Sequence, residues 1–123
     1  MSTSGRKQLG QSRPANTTAV SIYSPGADIE ARIYLIIITN TTGSDTTFRI
    51  FHDEDGTTYN ETTALYFDQT ITANNSAILI FDNTGQDGIA METAAGNLAV
   101  RTGTNDALTF TVYGSELDKI INA

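Results

Sequence analysis

The sequence predicts an all-β fold: an antiparallel β-sandwich of seven or eight strands, jelly-roll or immunoglobulin-like, behind an extended N-terminal arm. Three observations carry this. The longest apolar run, Ala31 to Asn40, is rich in β-branched residues, and three successive isoleucines, Ile36 to Ile38, suit a pleated strand better than a helix. Short strand-like runs recur at intervals of roughly 8 to 12 residues with turn chemistry between them. Only 17% of residues are charged, while Thr and Asn are plentiful, a composition that favours strands and turns.

Taken in order, Met1 to Gln11 holds, Met1 aside, a single large aliphatic residue, Leu9, and has too little apolar area to order itself. Thr18 to Tyr23 alternates as a short strand, and Ser24-Pro25-Gly26-Ala27-Asp28 reads as a turn. The Ala31–Asn40 strand is too short to cross a bilayer as a helix, which takes about 20 apolar residues. Apolar residues on both parities place it centrally, covered on both faces. Thr46 to Asp53 alternates and returns as a hairpin partner, closed by the acidic loop Asp53 to Thr58. Thr62 to Phe67 fits a helical turn or a strand equally well. Gln69 to Ala73, Ala77 to Phe81, Gly88 to Met91, Asn97 to Thr102 and Ala107 to Gly114 supply the remaining strands, with a long turn over Asp82 to Gly88. The expected core is Ile33, Leu35, Ile37, Phe48, Ile50, Leu79, Phe81, Leu108, Phe110 and Val112.

The 123 residues make one sandwich domain over 17–114, preceded by a flexible basic arm over 1–16 and followed by a tail over 115–123 that carries Ile120 and Ile121. The absence of cysteine excludes disulfides and thiolate chemistry. No apolar leader marks the N-terminus, so secretion by a signal peptide is not expected. The formal charge of -7 disfavours nucleic acid as a partner of the body. That charge is unevenly placed: residues 1–16 carry +3 from Arg6, Lys7 and Arg13, and the remainder carries -10. The three cations are the candidate partner-binding residues, poised to order on an acidic surface through charge-assisted contacts.

Chemistry is thinly represented. His52 is the sole histidine and the Gly-x-Ser-x-Gly elbow is missing, so no catalytic residue is assigned and the chain is read as non-enzymatic. Asp53-Glu54-Asp55-Gly56 offers oxygens to a hard cation but only part of a calcium-loop pattern, and is read as a solvated hairpin tip. No cofactor and no metal is expected. Asn16, Asn40, Asn60 and Asn74 each begin a glycosylation triplet; the stronger account is that Asn and Thr build turns here.

Arg32-Ile-Tyr-Leu-Ile-Ile-Ile-Thr-Asn40-Thr-Thr-Gly43, Thr46-Thr-Phe-Arg-Ile-Phe-His-Asp53, Asp55-Gly-Thr-Thr-Tyr59-Asn-Glu-Thr-Thr-Ala-Leu-Tyr66 and Leu108-Thr-Phe-Thr-Val-Tyr-Gly114 together resemble small β-sandwich virion proteins of tailed bacteriophages. Within that group the chain is most similar to capsid decoration (cement) proteins. The resemblance implies a virion location on the outer capsid surface, the major capsid protein as partner, homotrimers, and stabilisation of the shell without catalysis. It implies neither nucleic-acid nor membrane binding. The rival reading is a carbohydrate- or receptor-binding sandwich of a phage tail or fibre, which would cluster Tyr23, Tyr34, Tyr59, Tyr66 and Tyr113 on one surface.

Overall fold

A computed structural model describes residues 5–81 and 88–119. Its strands are β1 (Lys7–Ser12), β2 (Val20–Tyr23), β3 (Ile29–Asn40), β4 (Thr46–Asp53), β5 (Ala64–Ile71), β6 (Ser76–Ile80), β7 (Ile89–Met91), β8 (Asn97–Thr102) and β9 (Leu108–Asp118). One sheet has the order β1-β9-β3-β6, with β7 also paired to β3; the other has the order β2-β8-β4-β5. The pairings nest: β1 with β9, β2 with β8, β3 with β6 and β7, β4 with β5, all antiparallel. The chain is thus one long hairpin, bent so that successive pairs fall in alternate sheets. The added ladders β3–β9 and β4–β8 then close each sheet. This is the jelly roll, and the strand order sets the immunoglobulin-like alternative aside.

The alternation that builds the core changes phase once in β3. Ala31 and Ile33 face inward, then the register against β9 slips between Ile33 and Leu35, and from there Ile36, Ile38 and Asn40 face inward. A β-bulge of this kind inserts one residue, here Tyr34, and reverses the parity of everything after it. Glycine permits it. A Cβ on Gly114, opposite Ile33, would lie 2.1 Å from the Arg32 carbonyl oxygen and 2.8 Å from Leu9 Cδ1.

Of the expected core, Ile33, Phe48, Ile50, Leu108, Phe110 and Val112 are buried, and Leu79 and Phe81 pack partly buried against them. Leu35 and Ile37 are not core residues: the bulge turns them to the outer face, half-buried, and gives their places to Ile36 and Ile38. Met91, Leu98 and Val100 complete the interior. Phe51 and Ala99, opposite one another in the β4–β8 ladder, form a separate buried patch. There Phe51 meets the Tyr59 ring at 6.1 Å.

The arm departs most from expectation. Residues 7–12 are a strand, with Gln8, Gly10, Gln11 and Ser12 opposite Tyr113, Val112, Thr111 and Phe110. Ordering entropy is offset by a backbone ladder along β9 and by Leu9 packing on the core, so little apolar side-chain area is needed. The sandwich therefore begins at Lys7, and β9 carries it through Asp118, beyond residue 114. Thr62 and Thr63 end a turn, and the stretch from Ala64 is strand. Ile120, Ile121 and most of the Asp82–Gly88 turn lie outside the described residues.

Candidate functional site

The sole histidine and the acidic tip lie at the β4–β5 loop, and His52, Asp53 and Glu54 are engaged in building it. The Asp53 carboxylate accepts the Asp55 N–H at 3.3 Å and the Thr58 N–H at 2.8 Å. These bonds, the Thr58 one foremost, hold it below the usual carboxylate range. Asp55 is raised by its hydrogen bond with Asp53. Glu54 reaches the other way: one oxygen meets His52 Nε2 at 2.8 Å, the other accepts the Glu92 N–H at 2.7 Å, and its carbonyl accepts from Thr93 Oγ1 at 2.7 Å. His52 and Glu54 thus clamp the loop to the segment after β7. Among the described residues no three His, Cys, Asp or Glu side chains are grouped as a metal site.

The triplet asparagines are turn-formers, as the composition suggested. Asn16, Asn40 and Asn60 each accept the N–H two residues on, at 3.0, 3.0 and 2.8 Å, the Asx-turn geometry. Asn40 is buried and also donates through Nδ2 to the carbonyls of Ser44, Ile71 and Thr72. Asn74 holds φ at 58°, a left-handed position that asparagine tolerates.

The arm cations are spread over the body rather than brought together. The Arg6 guanidinium lies over the Tyr34 ring at 4.1 Å, and Lys7 pairs with Glu116 at 3.2 Å. Arg13 donates to the Asp106 carbonyl at 2.6 Å. Glu116 also accepts the Tyr23 hydroxyl, so one carboxylate joins β1, β2 and β9. That hydroxyl bond lowers the Glu116 pKa, while burial, reinforced by Glu116, raises that of Tyr23.

The five tyrosines are not gathered on one surface. Tyr23 is buried, Tyr66 packs among Phe48 and Phe81 with ring centroids 6.2 and 6.4 Å away, and Tyr59 covers Phe51. Apolar exposure lies elsewhere. Among the described residues the large exposed hydrophobics are Leu65 on β5 and, on β6, Ile78 and Ile80 at 60% and 54% exposure. Ile78 stands beside Ile37 and Ile80 beside Leu35, so the outer-facing residues of β3 extend the β6 patch. Sequence reasoning placed Leu35 and Ile37 inside, and so missed this surface; the signal was the continuous apolar run on β6, which has more apolar residues than one buried face can take.

No protein-family model and no curated protein matches the sequence. A solved structure titled as that of infectious bursal disease virus, Gx strain, contains a chain aligned over 93% of this one at 14% identity and a TM-score of 0.42. The present chain spans 28% of that chain's length.

Proposed function

We propose that this protein is a non-enzymatic structural component of a virion, and specifically a decoration protein that binds the major capsid protein on the outer surface of a tailed-phage shell and stabilises it. The observation that carries this reading is how the surface is divided. Side chains able to do chemistry are occupied in holding loops, whereas large apolar side chains stand exposed on sheet faces, where they suit contact with another protein. The resemblance in the β3, β4 and β9 segments points to the same role. Arg6, Lys7 and Arg13 belong to the proposal as rim contacts, which contribute up to about 1 kcal/mol each and are screened by salt.

The test is to add the purified protein to shells that lack it and to follow binding and shell melting. The reading expects saturable binding and a raised melting temperature. Neutralising Arg6 and Lys7 to Gln should weaken binding chiefly at low salt, and unlike deletion it leaves β1 in place. Shells that bind none of the protein would overturn the reading, and saturable binding on a glycan array would put the carbohydrate-binding sandwich in its place.

A further inference from the structure

Edge strands expose unpaired backbone groups, and natural sheets guard them with charge, bulges, proline or brevity. Among the described strands, three of the four sheet margins are guarded. The β1 margin carries Lys7 and a register shift between Gln8 and Gly10. The β2 margin is four residues long with a shift between Ser21 and Tyr23. The β5 margin has two shifts and Asp68 at φ 52°. On the fourth margin β7 is only three residues long, but β6 is different: Ser76-Ala-Ile-Leu-Ile80 has five residues, no charge, no proline and an unbroken register on β3.

The direction of its free groups follows from the ladder. Asn40 N–H bonds to the Asn75 carbonyl at 2.8 Å, and Phe81 N–H to the Tyr34 carbonyl at 2.9 Å. By alternation, residues 75, 77, 79 and 81 point their backbone groups at β3. Ser76, Ile78 and Ile80 therefore point theirs at the open edge, where no described strand meets them.

We infer that β6 is a self-association edge, pairing antiparallel with β6 of a second copy about a two-fold axis through Ile78. That axis sets Ile78 opposite Ile78 and Ser76 opposite Ile80, and it alone satisfies the outward N–H and C=O of all three residues; an axis at 77 or 79 leaves one residue out. A second copy is the occupant for two reasons. A ring of copies would need β6 to meet a different margin of its neighbour, and those margins are guarded, so the trimer implied by the resemblance is not what the edges select; an isologous pair needs only β6. At a net charge of -7, two copies approach best through a stretch free of charge, and neither β6 nor the β3 residues beside it, Leu35 to Thr39, carries any. A single short strand pair is smaller than a standard interface, so the pair should exchange with monomer at accessible concentrations.

The inference does not depend on the virion reading, and its test uses no shells. Because the chain has no cysteine, Ile78→Cys is a clean probe. A residue on the axis meets its own mate about 5.5 Å away between Cα atoms, within disulfide range. Mild oxidation of Ile78→Cys should give a covalent dimer, and Leu65→Cys, exposed on the other sheet, should not. Sedimentation of the wild-type chain should show a concentration-dependent dimer, and Ile78→Lys, which sets like charges face to face, should weaken it by about fivefold. Circular dichroism and melting establish that all three variants are folded. A wild-type chain that is monomeric up to millimolar concentration, cross-linking no faster than in Leu65→Cys, or an oligomer undiminished in folded Ile78→Lys would each overturn the inference.

Discussion

Tyr23 and Glu116 show how single residues set conditions for the whole sandwich. Glu116 is held at a lowered pKa mainly by the Tyr23 hydroxyl, with Lys7 adding to it. Its contribution is present above the ordinary carboxylate value and is lost as pH falls through the lowered one. Asp68, lowered by Arg49 through bonds of 2.6 and 3.0 Å, acts in the same direction, and Asp55, which is raised, opposes them. Tyr23 is raised above its ordinary value of 10.0, so its contribution is complete below pH 10 and declines as pH rises toward the folded value. Tyr23→Phe should therefore flatten both limbs of a stability–pH curve, the alkaline one because the raised phenol is gone and the acid one because Glu116 loses the bond that chiefly lowers it. Loss of a hydrogen bond to a charged acceptor should also cost about 1.5–3 kcal/mol at neutral pH in urea unfolding. Asn40→Leu should be comparably damaging, since it removes the buried donor to the Ile71 carbonyl and the two part-buried bonds beside it, a buried group left short of a partner costing about 1–3 kcal/mol.

Among the elements, β3 offers the sharpest contrast between neighbours. Ile36 is fully buried and Ile37, one residue on, faces outward, so Ile36→Ala should cost about 2–5 kcal/mol and Ile37→Ala distinctly less. Equal losses in denaturant melts would mean that the bulge at Tyr34 is misplaced. The strands themselves were legible because alternation and turn residues are local signals: Leu108, Phe110 and Val112 face inward as their spacing requires. The phase change in β3 was not, because a bulge depends on what Gly114 does on the neighbouring strand, and Ile36-Ile37-Ile38 reads identically in either phase. β1 was hidden for a related reason. Its cohesion is backbone pairing to residues about a hundred positions away, as in the Gln11 Nε2 to Thr111 Oγ1 bond at 3.1 Å, and composition carries no trace of that. Of the candidate site, the sequence disclosed the acidic loop and the lone histidine but not that their hydrogen bonds are internal. Hydrogen exchange should find the ladder amides between Gln8 and Ser12 protected in the free protein; exchange at the rate of unstructured peptide would restore the arm to a loose end.

Over the whole molecule, the nested hairpin makes the first and last strands neighbours: β1 lies on β9, and β9 also runs the length of β3, from Ile29–Asp118 to Asn40–Leu108. Only the β4–β5 hairpin at the middle of the chain can form early from nearby residues; every later ladder closes a longer loop. Closure entropy must be met before those contacts reward it, which places such a topology among the slow folders, in the millisecond-to-second range. The seam at β9 should form last, because it needs both ends of the chain. Substitutions there act after the barrier, so Val112→Ala should mainly speed unfolding, while Ile50→Ala in the central hairpin should slow folding as well. Stopped-flow refolding in urea, followed by tyrosine fluorescence since tryptophan is absent, measures both arms of the chevron. The expected result is a fractional effect on the folding rate near zero for Val112 and clearly larger for Ile50. The reverse ranking would mean that the terminal strands nucleate the roll, with the central hairpin docking afterwards.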